Sequence, residues 1–287
     1  MVVTKIAHGL GNQLFQYAVA RHLSFLLKSP LYFDLTYYYY QESTPRDFRL
    51  SQFDIPYKVL NHSHRNLFFK TIRHFFGGNL SPFFKSVIED RFAYNPMVLK
   101  TSALIVTLDG YWQSERYFSE IADVIRRELN TKQDLGPIFQ AYHRQIIASK
   151  NPISIHIRRG DYISNPLFSQ TFGALDLEYY RQAISIMREK FPESQFFVFS
   201  DEPAWAVTHF PFDKIVFVRN REEDSDLADL MLMKACRHHI IANSSFSWWG
   251  AWLNDRTDKT VIAPKQWFLK RPDLDTKDLI PVSWLKI

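Results

Sequence analysis

The feature that most restricts the fold is the regular alternation of apolar strands and amphipathic helices from residue 151 onward. Ile153, Ile155 and Ile157 alternate with Ser154, His156 and Arg158, the period-two pattern of a strand, and Pro152 precedes it where a missing N–H does no harm. A helix is predicted from about Leu177 to Lys190, a strand over 195–200, and a short helix opened by Asp201-Glu202-Pro203. A strand over 214–218, a helix over 226–237, a strand over 238–242, a helix from Ser245 and a strand over Val261–Ala263 follow. Such alternation requires a parallel sheet covered on both faces, because parallel strands need crossover connections and helices supply them.

The first half opens in the same way. Residues 2–7 read as a buried strand that ends in His8-Gly9-Leu10-Gly11-Asn12-Gln13. Leu14, Phe15, Ala18, Leu23 and Leu26 then fall near helical spacing, and Leu31–Asp34 closes a β-loop-α-β unit. The glycines let backbone N–H groups approach a ligand at a helix N-terminus, where anions are favoured. Gly9-x-Gly11 with Asp34 also imitates the dinucleotide fingerprint, with Leu14 in place of its third glycine. A nicotinamide-dependent oxidoreductase is therefore an alternative reading. A strand over 103–108 leads into Asp109-Gly110-Tyr111-Trp112-Gln113-Ser114-Glu115, where the aromatic pair is either a sugar-stacking platform or a plug beneath a loop. Ser114 is placed to cap a helix running to Leu129. The polar stretch with Gly136-Pro137 reads as a link, which divides the chain into domains 1–150 and 151–287.

Composition narrows the classes. With 287 residues, 46% hydrophobic and 23% charged, the chain is long enough for one large or two modest domains with real cores. Its 16% aromatic content suits a carbohydrate cleft and equally a heavy core, and a net charge of +5 suits an anionic ligand or membrane surface. Residues 57–85 carry Lys58, Arg65, Lys70, Arg73 and Lys85 among phenylalanines, with no acidic residue. That stretch reads either as a core-packing face or as an interfacial helix meeting anionic lipid or a lipid-linked substrate. It matches no nucleic-acid-binding module, and nucleic acid is not expected as a partner. A lone Cys236 in an apolar run excludes an internal disulfide. Met1 leads directly into a strand and no run of 18 apolar residues occurs, so a cytoplasmic protein is expected, with peripheral contact at the inner membrane face through 57–85.

Chemistry concentrates at two strand ends. Arg158-Arg159-Gly160-Asp161 closes the Ile153–Ile157 strand, and guanidinium groups are almost never buried unpaired, so an anion is expected there. Asn243-Ser244-Ser245-Phe246-Ser247 lies between a strand and a helix and offers hydroxyls and N–H groups to a phosphate. Asp229, on the preceding helix, is placed to accept hydrogen bonds from a purine edge. Asp224-Ser-Asp226 has the spacing of divalent-metal transferases, but it precedes a helix and acidic capping explains it; no metal is expected.

Together, His8-Gly-Leu-Gly-Asn-Gln-Leu-Phe-Gln-Tyr-Ala18, Asp109 to Glu115, His156-Ile-Arg-Arg-Gly-Asp161, Phe199-Ser-Asp201, Asp229 and Ile240 to Ala251 resemble the α-1,2-fucosyltransferases of glycosyltransferase family 11, from residue 5 to about 265. The resemblance implies an α/β, GT-B-like architecture: two Rossmann-like domains facing a cleft, the first on the acceptor side and the second binding the nucleotide sugar. It implies a GDP-fucose donor, no cofactor, a galactose-terminated oligosaccharide acceptor, free or lipid-linked, and inverting transfer to its 2-hydroxyl. A fucosyltransferase of other linkage is the near alternative, and a basic glycan- or nucleic-acid-binding module without catalysis the more distant one. By the same resemblance Arg158 holds the β-phosphate with His156 and Arg159 nearby. Asp229, Asn243, Ser244, Ser245, Phe246 and Ser247 clasp the nucleotide, and Asn12 and Gln13 reach it from the other half. Asp161 is the first candidate for the base that takes the acceptor's proton, with His8 and Asp109 as alternatives. His8 stands where the family usually has glycine, and residues 37–100 carry no family motif, so acceptor choice does not carry over.

Overall fold

A computed structural model describes residues 1–40, 46–60, 83–131, 133–210, 213–219 and 225–287. They form two compact units, Met1–Lys132 with Thr276–Leu279, and Gln133–Asp275 with Ile280–Ile287. The division thus falls at 132/133 and not at 150/151.

The first unit holds β1 (Val2–Lys5), α1 (Leu10–Leu26), β2 (Leu31–Asp34), β3 (Lys58–Val59), β4 (Phe84–Ile88), β5 (Ile105–Asp109) and α2 (Ala122–Glu128). Its sheet is parallel, in the order β3-β2-β1-β5-β4. β1 is central, and Val2, Val3 and Thr4 are buried because neighbours cover both edges and both faces. α1 begins at Leu10, so Gly11, Asn12 and Gln13 lie in its first turn and the glycine loop is shorter than its sequence suggests. The predicted helix over 114–129 is broken. Two 3₁₀ turns, Glu115–Tyr117 and Ser119–Ile121, precede α2, and Phe118 between them and Ile121 at the end of the second are buried. Ser114 does cap, its side chain accepting from Arg116 N at 3.4 Å.

The second unit holds α3 (Gly136–Ala148), β6 (Asn151–Ile157), α4 (Gly160–Ser164), α5 (Pro166–Ser169), α6 (Leu177–Lys190), β7 (Ser194–Ser200), α7 (Pro203–His209), β8 (Ile215–Phe217), α8 (Ser225–Ala235), β9 (His238–Ile240), α9 (Ser245–Leu253), β10 (Val261–Ala263) and β11 (Leu285–Lys286). The sheet order is β11-β10-β9-β6-β7-β8, again all parallel. The expected link is instead α3, with Pro137 in its first turn, where a proline costs no hydrogen bond. Tyr142 fastens that helix to its own unit: its hydroxyl donates to Phe217 O at 3.3 Å and accepts from Arg219 N at 3.1 Å. β6 is covered on both faces, so Ser154 and His156 are buried along with the three isoleucines.

The chain lays down β6, β7 and β8 in one direction and β9, β10 and β11 in the other. The reversal falls between β6 and β9, and the crevice beyond the carboxyl ends of such a strand pair is where open α/β sheets bind ligands. Cys236 is fully buried and free, as its apolar surroundings suggest. Among the described residues no helix is long and apolar enough to cross a membrane. Most of the basic aromatic stretch, residues 61–82, and Asp224 of the Asp-x-Asp pair lie outside the described residues.

Candidate active site

The loops after β6 and β9 meet over the switch point of the second sheet. Tyr162 of α4 joins them: its hydroxyl donates to Asn243 O at 3.1 Å, and its ring lies under the Arg158 guanidinium, 5.5 Å from the centroid. His156, at the end of β6, packs its imidazole against Phe246 of α9 at a ring separation of 5.6 Å. So the arginine loop and the serine turn, distant in sequence, form one surface.

Arg158 sits between two carboxylates. Its NH2 reaches Asp161 Oδ1 at 2.5 Å and its NH1 reaches Asp201 Oδ2 at 3.0 Å, with 22% of the side chain exposed. Burial opposes its charge, but Asp201 and Asp161 outweigh that and hold the guanidinium above its ordinary range. A guanidinium carries five N–H donors, so these two contacts fix its plane without exhausting it. Asp201 also accepts the Arg159 backbone N–H at 3.0 Å, which clamps the turn itself. Burial raises the Asp201 carboxyl above its usual value, against the pull of Arg158. A Cβ on Gly160 would stand 2.7 Å from Asp201 Oδ2, so only glycine lets the turn come this close to the clamp.

The other predicted residues divide into those that face this surface and those consumed by the fold. Arg159 turns aside: its Nε donates to Glu202 at 3.0 Å and its guanidinium lies 3.6 Å from the Trp205 ring centroid. It braces the loop against α7 and is not aimed with Arg158. Asp161 is the ion-pair partner of Arg158 and is spent on clamping it. His156 is buried, its Nδ1 unpartnered; burial and then Arg158 push its pKa down to about 3, so it is neutral. The Asn243 side-chain N–H groups are spent on structure, donating to Gly173 O and Trp267 O at 3.0 Å each, while its buried Oδ1 has no hydrogen-bond partner. Ser247 is buried and its hydroxyl donates to Ser244 O at 3.2 Å. Ser244 occupies the N-cap of α9 without a side-chain cap bond, and Ser245 and Phe246 are partly exposed in the first turn. That end of the helix presents positive dipole charge at the surface where Arg158 lies.

Asp229 is half-buried on α8, and its Oδ1 is shut from solvent with no hydrogen-bond partner. Burial, then the Asp226 carboxylate, lift its pKa to about 8. α8 packs on α9 through Gly250, where a Cβ would stand 2.9 Å from Met233 Cβ. A buried, unpaired acceptor is costly to keep, and a ligand N–H is one way to satisfy it.

In the first unit, Gln13 is a staple. Its Nε2 donates to His8 O and Asp47 O at 2.8 Å each, and its Oε1 accepts from Arg49 N at 2.9 Å, leaving no N–H for a ligand. Asn12 accepts from Gln113 Nε2 at 2.8 Å. Asp34 accepts from Thr36 N at 3.0 Å, a turn contact in place of the ribose contact the dinucleotide reading required. Trp112 is a buried plug, edge-on to Tyr117, which settles that residue against a stacking role. Asp109 is exposed and paired with Lys5 at 3.2 Å. Among the described residues no cluster of three or more metal-ligating side chains occurs.

The chain is 35% identical to the Escherichia coli O-antigen biosynthesis glycosyltransferase WbnK over 92% of its length and 93% of that protein's. It is 33% identical to an Escherichia coli alpha-1,2-colitosyltransferase over 100% of its length and 99% of that protein's. It is 26% identical to galactoside alpha-(1,2)-fucosyltransferase 2 of Oryctolagus cuniculus, over 58% of this chain and 47% of that one. The crystal structure of fucosyltransferase NodZ from Bradyrhizobium superposes with a TM-score of 0.51 at 16% identity, over 87% of this chain and 91% of that chain, and shares the GT-B-like fold. These likenesses displace the oxidoreductase alternative. The family model for glycosyl transferase family 11 matches residues 101–284, and the chain belongs to that family.

Proposed function

We propose that this protein transfers L-fucose from GDP-fucose to the 2-hydroxyl of a terminal galactose in a glycan, with inversion at the anomeric carbon. The observation that carries the reading is the clamped Arg158 set beside the first turn of α9, at the switch point of the second sheet. As the bond from fucose C1 to the β-phosphate oxygen breaks, its electron pair passes to the diphosphate while the acceptor oxygen bonds to C1 and gives up its hydroxyl proton to solvent or to the departing GDP. A guanidinium already fixed in plane and a helix end already aligned answer that charge without reorganising. We assign Asp229 to the guanine edge, where a carboxylate matches two N–H donors, and the first unit to the acceptor side. Fixed cations and dipoles supply the charge compensation, and no metal is invoked.

The test is direct. The purified protein, given GDP-fucose, a galactoside such as lactose and excess EDTA, should yield one trisaccharide whose linkage NMR reads as α-1,2. No transfer under any metal condition, or a different linkage, contradicts the reading. A second reading, colitose as the transferred sugar, is favoured by the relative that matches the whole chain. Colitose is fucose without its 3-hydroxyl, so the two GDP-sugars compared at equal concentration decide between them by kcat/KM.

A further inference from the structure

The first sheet has its own switch point. β1, β2 and β3 run outward in one direction while β4 and β5 fill the other side, so the reversal lies between β1 and β5. Over it stand side chains from the loops after three adjacent strands: His8 after β1, Tyr37 after β2 and Tyr111 after β5. His8 Nε2 lies 3.1 Å from the Tyr111 hydroxyl and its Nδ1 lies 3.2 Å from the Tyr37 hydroxyl. The His8 and Tyr111 rings stack at 5.2 Å and 24°, and Phe92 continues the stack behind Tyr111 at 6.2 Å. All four are only partly buried.

Three observations mark this wall as more than packing. His8 has φ +66°, a left-handed conformation that costs a side-chain-bearing residue about 1 kcal/mol or more relative to glycine. Gly9, beside it, has an ordinary φ of −76°, and a Cβ there would meet nothing within 4 Å; neither backbone nor neighbours demand the glycine, and open space lies against it. The amides at the start of the loop after β5 do not suit an anion either. Tyr111 N and Trp112 N donate to the Glu89 carboxylate at 2.6 and 3.0 Å, placing a negative charge where a phosphate would need N–H groups. Aromatic faces, tyrosine hydroxyls, an imidazole and the Gln113–Asn12 amide pair instead match the C–H face and hydroxyls of a neutral hexose.

We propose that His8, held between Tyr37 and Tyr111, is the residue that sets which acceptor glycan this chain accepts, forming one wall of a hexopyranose subsite over the β1/β5 crevice. This rests on the glycosyl-transfer reading above and adds to it the element that discriminates between acceptors. Without the imidazole the two tyrosine hydroxyls lose their shared partner and the wall opens, so bulkier or differently linked galactosides enter.

His8→Gly tests it cleanly, because glycine is at ease at φ +66° and the backbone has no reason to move. Wild type and variant are compared on galactose linked β-1,3 to N-acetylgalactosamine, β-1,3 to N-acetylglucosamine and β-1,4 to glucose. The expected result is a change of at least about tenfold in the kcat/KM ratio between two of these acceptors, the scale of rearranging one hydrogen-bonded contact, with GDP affinity by calorimetry within about twofold. Ratios within about twofold of wild type across the panel overturn the proposal. Tyr111→Phe, which keeps the ring and removes the hydroxyl, decides if the glycine variant does not fold: shifted ratios support the wall, unchanged ratios overturn it. Saturation-transfer NMR with lactose needs no donor. An unaltered lactose contact map in His8→Gly sinks this inference alone, whereas failure of GDP to bind the wild type sinks the transfer reading on which it rests.

Discussion

Arg158 and Asp201 face each other across the ends of two paired strands, NH1 to Oδ2 at 3.0 Å, and Asp161 holds the opposite edge of the same guanidinium at 2.5 Å. The cation is therefore oriented before any ligand arrives. A lysine supplies the charge but neither the plane nor the paired donors, so Arg158→Lys should be nearly as damaging as Arg158→Ala. Both should lower kcat at least ~100-fold, the scale of one preorganised donor, in steady-state assays with GDP-fucose. Near-normal turnover by the lysine variant would refute the role.

Asp201 acts through Arg158 and through the Arg159 backbone N–H that it accepts. Asp201→Asn keeps the size but lets the guanidinium swing, so kcat should fall about tenfold or more while GDP affinity changes little, because loss of orientation is felt most in the transition state. Equal losses in kcat/KM and in GDP affinity, with kcat intact, would make Asp201 a contributor to binding only.

Asp229 carries a stability cost that depends on pH. Its pKa is about 8 in the folded protein against an ordinary 3.8, so between about pH 4 and 8 the folded state holds the proton more tightly than the unfolded state. Stability from this group therefore falls as pH rises through that window. Asp229→Asn removes the cost: its Tm should exceed the wild type's by several degrees at pH 8, at roughly 2–4 °C per kcal/mol, and by much less at pH 5. The same variant should bind GDP more weakly, and GDP binding by the wild type at pH 7 should release protons, read by calorimetry in buffers of different ionisation enthalpy. A Tm gap that does not vary with pH contradicts the assignment.

Gln13 was expected at the nucleotide and is found stitching His8, Asp47 and Arg49 together. Gln13→Ala strands partly buried backbone groups, and a loss of about 1–2 kcal/mol is expected from unsatisfied donors and acceptors of this kind. Thermal melts should show a drop of several degrees. An unchanged Tm would mean that water replaces the amide.

Reading the sequence served best where periodicity was strong and local. β2, α6 and β10 fall on the predicted residues because each is flanked by turn signals and shows one clear period. α3 was hidden because Gly136-Pro137 reads as a break, although a proline in the first turn starts a helix as readily as it ends one. The site followed the same division. Arg158 stood out as a charge closing an apolar strand. Asp201 stood in one of the family strings but was given no role, Glu202 and Trp205 looked like the ordinary start of a short helix, and only the pairing of β6 with β7, His156 opposite Phe199 and Ile157 opposite Ser200, brings them to the arginines. Side-chain commitments such as Arg159 on Trp205 or Asn243 on Gly173 and Trp267 depend on tertiary contacts that no local pattern encodes.

The most direct measurement is a crystal structure of the protein with GDP bound. The diphosphate oxygens should lie within about 3 Å of the Arg158 guanidinium and of backbone N–H groups in the first turn of α9, hydrogen-bond distance for a charge-assisted pair, with the guanine edge on Asp229. A diphosphate seated elsewhere, with Arg158 still engaged only by Asp161 and Asp201, would contradict the account.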